Sequence, residues 1–188
     1  MANHTVLRDV TETLRRLLVD NIVASTSVDV TTNSPPRVKL ETDHLLNLFL
    51  YQISENAFAR NNPPMARGPT QLVRAPLPLD LSYMLTPYVS EGRDSIDEHL
   101  ILGDAMRILY DNPVLGSDQL DGDLRGQGEQ IRITLSKMNL EEHTRVWNAL
   151  QMPYRLSVCY DVRVALVDSH QATETSRVLV QEVRYEQR

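Results

Sequence analysis

The sequence predicts an α+β fold, a mostly antiparallel or mixed sheet flanked by about three helices. Three observations predict it. Several segments alternate apolar and polar residues with period two, as a strand with one wet face does. Others carry apolar residues at helical spacing behind an Asp or Asn able to cap them. The two kinds are interspersed along the chain.

The first helix is expected over residues 4–20. Val6, Leu7, Val10, Leu14, Leu17 and Leu18 recur on one side, and Arg8, Asp9, Glu12, Arg15 and Arg16 fill the other. Residues 28–30 form a short strand candidate, broken by the loop residues Asn33, Ser34, Pro35 and Pro36. Residues 45–54, LLNLFLYQIS, are apolar on both sides, so this strand is expected at the centre of the sheet, covered on both faces. Residues 77–87, LPLDLSYMLTP, form its companion. Pro78 cannot donate a ladder hydrogen bond and belongs at an edge or a strand start. The stretch between them is rich in Arg and Pro, and ARNNPPMARGPT within it is expected to lack regular structure.

Asp94 is placed to cap a second helix, with Asp97 and Glu98 in its first turn facing the positive end of the dipole. Its buried stripe is Ile101, Leu102, Ala105, Ile108 and Leu109, and Asn112-Pro113 ends it. Residues 116–128 form a Gly- and Asp-rich loop. Ile131, Ile133 and Leu135 mark a half-buried strand. Asn139 and Glu142 have the spacing of a capping box for a short third helix, with Val146, Trp147 and Leu150 inward and Pro153 as its stop. Residues 154–167 alternate most clearly. Tyr154, Leu156, Val158, Tyr160, Val162, Val164 and Leu166 are expected inward, and Arg155, Ser157, Cys159, Asp161 and Arg163 outward. Residues 177–185 are a last strand candidate.

A chain of 188 residues reads as one domain over residues 1–188, long enough to bury a core without disulfides or metals. A net charge of −6 argues against nucleic acid as the main partner, because phosphate binding needs a concentrated basic surface. One cysteine, Cys159, allows no intrachain disulfide and fits a reducing cytosol. The N-terminal residues MANHTVLRDV lack the apolar centre of a secretory signal. No run approaches the roughly 20 apolar residues that cross a bilayer. Cytoplasmic synthesis follows as the expectation.

No motif supplies catalysis. The histidines at 4, 44, 99, 143 and 170 have no partner at metal-ligand spacing. Cys159 has no activating histidine at a known nucleophile spacing. Asp118, Asp121 and Asp123 lack the order and closing Glu of a calcium loop. No phosphate loop, dinucleotide fingerprint or nucleophile elbow is present. The expectation is no enzyme, no cofactor and no metal. The features left over are arginines: Arg60, Arg67 and Arg74 on the irregular stretch, and Arg132, Arg155 and Arg163 on wet strand faces. They read either as solubilising charge or as a docking surface for an acidic partner.

The segments LLNLFLYQISENAFARN, PLPLDLSYMLTPY, HLILGDAMRILYDNPVL and LEEHTRVWNALQMPYRLSVCYDVRVALVD follow one another in this order. Together they closely resemble the N-terminal-domain family of cap, or tail-terminator, proteins of extracellular contractile injection systems. Those are phage-tail-like particles with an inner tube inside a contractile sheath. The resemblance runs over residues 5–185. It implies a non-enzymatic α+β subunit of a homohexameric ring that ends the particle, with copies of itself, the inner tube protein and the sheath protein as partners. It further implies that the finished particle can be released outside the cell. Asn47, Tyr51, Glu55, Asn56, Asp80, Tyr83, Pro113, Trp147, Pro153 and Tyr154 match characteristic family positions, with no contacts assigned. Some relatives carry a C-terminal extension beyond the position where this sequence reaches Arg188. The last segment, with Arg177 and Arg184, is expected to be an edge strand that pairs with a sheath or neighbouring subunit. An adaptor that recruits an assembly factor or cargo is the alternative reading.

Overall fold

The computed structural model describes residues 4–23, 27–59, 63, 65–66, 71–73, 75–92, 94–126, 128–167 and 172–174. Along the chain run α1 (Val6–Asn21), β1 (Asp29–Thr31), β2 (His44–Glu55), β3 (Met65–Ala66), β4 (Gln71–Val73), β5 (Leu77–Val89) and α2 (Ser95–Asp111). Then come β6 (Val114–Leu115), β7 (Ile131–Leu135), α3 (Leu140–Ala149), β8 (Val158–Val167) and β9 (Ala172–Glu174). Six strands form one sheet in the order β1–β2–β5–β8–β7–β6. Only β1 and β2 are parallel; the other pairs are antiparallel. The α+β expectation, with a mixed sheet and three helices, therefore holds.

Two layers cover the sheet. On one face α1 contributes Val6, Val10, Leu14 and Leu18, and α2 contributes the stripe its sequence predicts. They close over Leu46, Leu48, Leu81, Tyr83, Leu85 and Val162. Each fully buried Leu or Ile contributes about 1.5–3 kcal/mol. On the other face α3 buries Trp147 against Met84 and Cys159, with Phe49 and Tyr51 at the margin. The Trp147 indole N–H donates to Ser157 Oγ at 3.2 Å, so the largest buried side chain is satisfied.

The helix signals are observed as bonds. Asp94 accepts from the Ile96 N–H at 3.1 Å, and Asn139 and Glu142 close the reciprocal capping box at 3.0 and 2.8 Å. Asp9 departs from the expectation. It lies on the covered side of α1, 2% exposed, because the 117–126 loop folds over it. Its carboxylate accepts from the Asp123 N–H at 3.0 Å and from Arg8 Nε at 2.9 Å. Gly122, at φ +58, passes so close that any side chain would meet that carboxylate. Arg16 and Asp121 pair beside it at 2.7 Å.

Four further differences have physical reasons. The strand over 45–54 is covered on both faces only in its first half. Past Asn47 it has no outer neighbour among the described residues, since β1 pairs only with Leu45, Leu46 and Asn47, and residues 52–55 are exposed. β5 pairs with β2 over Leu79–Val89 and with β8 over Leu77–Leu85, so it is flanked on both sides through its middle, and Pro78 occupies its second position. The Arg- and Pro-rich stretch is not wholly irregular: β3 and β4 within it join β9 in a small second sheet. The alternating run 154–167 becomes strand only at Val158; Tyr154 and Leu156 are 46% and 39% exposed, and Ser157 and Cys159 are buried. The strand candidate at 177–185 lies outside the described residues. Among the described residues, no helix is long and apolar enough to cross a membrane.

Candidate interaction surface

Several of the residues that the resemblance singled out are tied into the fold. Asn47 is fully buried within β2 and uses its amide on both sides. It donates to the Asn33 carbonyl at 3.0 Å and accepts from Thr31 Oγ1 at 3.0 Å, which holds β1 and its following loop to β2. Asn56 donates to the Asp80 carboxylate at 3.0 and 3.2 Å and accepts from the N–H groups of Phe58 and Ala59, fixing the turn out of β2. The Tyr83 hydroxyl lies 2.8 Å from Thr11 Oγ1 of α1. Burial raises its pKa to about 12, the Thr11 hydrogen bond acting weakly the other way. The Tyr51 hydroxyl donates to Met138 Sδ at 3.1 Å.

Cys159 sits under α3, and burial pushes its thiol up to about 11. A thiol of that kind is protonated and unreactive at neutral pH. Among the described residues, no group of three His, Cys, Asp or Glu side chains is placed to hold a metal ion.

The arginines fall into three groups. Arg60, Arg67, Arg74, Arg177 and Arg184 lie outside the described residues. Arg155 is not on a strand. It precedes β8, donates to Glu98 Oε1 at 2.8 Å, and stacks over the Tyr88 ring at 4.5 Å. It joins the start of α2 to the end of β5 and is already partnered. Arg132 and Arg163 are brought together. They are directly opposed residues of β7 and β8, and both are exposed. Among the described residues neither guanidinium has an ion-pair partner. Asp80 is opposite Arg163 on the inner side. The row across the sheet thus reads carboxylate, guanidinium, guanidinium, with the unpaired positive charge toward the β7 edge. Like charges directly opposed across strands are unfavourable in isolation.

This row lies on the face that carries α3 farther along. Met84 and Cys159 are covered by α3; nearer the row lie Ser82, itself buried, half-buried Asp161 and exposed Thr134, with Ser82 Oγ donating to Asp161 at 2.9 Å. On the opposite face, beside β7, an apolar groove of about 870 Å³ opens between the end of α2 and the sheet. Tyr110 and Leu135, 83% and 49% exposed, form its rim. Sequence reading missed this groove, because both rim residues fall at ordinary apolar positions of their elements.

Residues 9–181 match the family model for the Pvc16 N-terminal domain. No curated protein matches the chain. Several solved structures match, and two of them illustrate the shared fold. One is the PVC sheath/tube terminator of an extracellular contractile injection system, in the extended state. It has a TM-score of 0.69 and 18% identity, and the match covers 100% of this chain and 65% of that one. The other is the tube-terminating cap of the anti-feeding prophage. It has a TM-score of 0.64 and 19% identity, with 98% and 62% covered. The chain thus spans a little under two thirds of the length of each. Because the matched stretch runs from the first turns of α1 to beyond β9, this protein belongs to the Pvc16 N-terminal domain family.

Proposed function

We propose that this chain is a structural cap subunit that ends and stabilises the tube and sheath of a contractile injection particle. One observation carries the reading. The whole chain shares the fold of a sheath/tube terminator, and nearly all of it matches one cap-type family. Residues 1–188 are read as one cap-type domain, made in the cytoplasm and then built into the particle. Its partners are further copies in a homohexameric ring, the inner tube protein and the sheath protein. A closed ring uses two different patches on each subunit, and a surface with unpaired charge suits such a contact. The subunit is read as non-enzymatic, and nucleic acid is not among its partners, in keeping with a net charge of −6. Arg132 and Arg163 are proposed as contacts with a partner. Arg60, Arg67, Arg74, Arg177 and Arg184 are proposed alongside them on their sequence positions alone.

The test is deletion of the gene in its host, followed by electron microscopy of purified particles. Overlong, ragged or sheathless tubes are expected, returned to one length by complementation. Particles of normal length with intact caps would overturn the reading and leave an adaptor role in its place.

A further inference from the structure

β7 is an internal strand for only half of its length. Its outer neighbour β6 has two residues, pairing Val114 with Arg132 and Leu115 with Ile131. The next step is Pro113. Its carbonyl accepts from the Ile133 N–H at 2.8 Å, but it has no N–H to return to the Ile133 carbonyl. One residue farther back is Asn112, the C-cap of α2, which ends at Asp111. On the inner side the Ser136 N–H donates to the Cys159 carbonyl at 2.8 Å, which fixes the alternation: residues 132, 134 and 136 bond toward β8, and residues 133 and 135 point outward. The Ile133 carbonyl and both backbone groups of Leu135 therefore project from an edge that Pro113 has left open. Among the described residues, no hydrogen bond reaches them.

That edge borders two other unpartnered features. On one face lies the groove lined by Ile133, Leu135, Tyr160, Met106 and Tyr110. On the other face lies the opposed pair Arg132 and Arg163. Side chains of an added strand alternate between the same two faces. Residues opposite Ile133 and Leu135 would enter the groove. The residue between them, opposite Thr134, would stand one diagonal step from Arg132, within reach of a long side chain.

We propose that the open edge of β7 is a strand-addition site, which takes an extended segment of a partner polypeptide with alternating apolar and acidic residues. Main-chain bonds to Ile133 and Leu135 hold the segment, the groove takes its apolar side chains, and Arg132 with Arg163 selects the acidic ones. Charge complementarity decides the occupant: Arg132 is the charged side chain of this face nearest the edge, it has no ion-pair partner among the described residues, and an apolar–basic strand would set a second positive charge beside it. The proposal gives a chemistry to the partner that the cap reading sets against Arg132 and Arg163, and because its test uses the isolated chain the two readings can fail separately.

The test uses the full chain and synthetic peptides of alternating valine and glutamate, with a valine–lysine peptide as control, followed by fluorescence anisotropy. The valine–glutamate peptide is expected to bind and the lysine peptide not to. N-methylating the peptide backbone at alternate positions is expected to weaken binding about tenfold or more, through lost main-chain bonds. Leu135→Pro removes an outward N–H, which an edge strand tolerates, together with one rim side chain of the groove, and is expected to do the same. The N-methylated peptide keeps the test sound should that variant fold poorly. Arg132→Glu is expected to reverse the preference toward the lysine peptide. Binding insensitive to N-methylation, or no binding of either peptide, overturns strand addition. An unchanged preference in Arg132→Glu overturns the acidic partner. A dimer of the peptide-free chain that Leu135→Pro dissolves also overturns it, and assigns the edge to a second copy.

Discussion

Cys159 lies beneath Trp147 and beside Met84, on the sheet face that α3 closes. It is 2% exposed, and burial holds its thiol at about 11. A disulfide reagent added to the native protein should therefore react slowly, with one thiol per chain appearing only as denaturant unfolds it. An immediate full reaction would place the thiol outside this cluster. Tyr83 makes a second residue-level prediction. Its pKa is raised from 10.0 to about 12, chiefly by burial, so the unfolded chain releases this proton at lower pH than the folded one. Its contribution to stability is complete below pH 10.0 and is lost as the pH rises toward about 12. The buried Cys159 thiol loses its share in the same direction, from 9.0 toward about 11. Denaturant melts across this range should show stability falling with pH, and Tyr83→Phe should flatten the fall. A Phe variant with an unchanged alkaline slope would remove Tyr83 from the account.

The elements were legible in the sequence where a local signal spans a full turn or several alternations. α2 and α3 begin at the Asp and Asn that the sequence marks, and the α2 stripe is the one its spacing gives. Removing the cap by Asn139→Ala should cost about 1 kcal/mol in urea melts, through loss of the bond to the Glu142 N–H. A change within error would mean that packing of Trp147 alone sets the start of α3. The short strands were not legible. β3 and β6 have two residues each and β4 and β9 three, too few for an alternation; β3 pairs with the nearby β4, β6 with β7, and β4 with β9 about a hundred residues on, pairings that no local pattern announces. Asp9 was misplaced for a related reason: its partner, the Asp123 N–H, is 114 residues away, and helical spacing carries no trace of it. The loop and helix are fitted tightly enough for a direct test. Gly122→Ala combines a left-handed backbone with a collision against the Asp9 carboxylate. It should destabilise the protein by about 1–3 kcal/mol or displace the loop. A wild-type melting curve would show that Gly122 has more room than the structure gives it. The candidate surface was half legible. The sequence supplied Arg132 and Arg163 as outward residues, but only the pairing of β7 with β8 sets them opposite one another.

At the scale of the whole molecule, this pair sets the stability of the isolated subunit against what the subunit does in an assembly. An isolated chain gains little from two guanidinium groups directly opposed across a ladder, with the carboxylates of that face at Asp80, beyond Arg163, and at Asp161, one diagonal step from Arg132, and neither of them ion-paired to the arginines. Substitution at Arg132 reports on this more cleanly than substitution at Arg163, because its other cross-strand neighbour is the uncharged Val114. Arg132→Glu turns a repulsive pair into an attractive one. It should stabilise the isolated chain by about 0.2–1 kcal/mol, read as a rise in the urea midpoint at unchanged slope. The gain should shrink at high salt, since both groups are exposed. If the pair serves a partner, the same variant should be the poorer one at restoring particle length in a deletion strain, despite being the more stable protein. This opposition of stability and assembly separates a contact surface from solubilising charge. A merely solubilising Arg132 predicts a variant that is more stable and fully competent. A structural role predicts one that is less stable and incompetent. Only a role in partner contact predicts higher stability with lower competence.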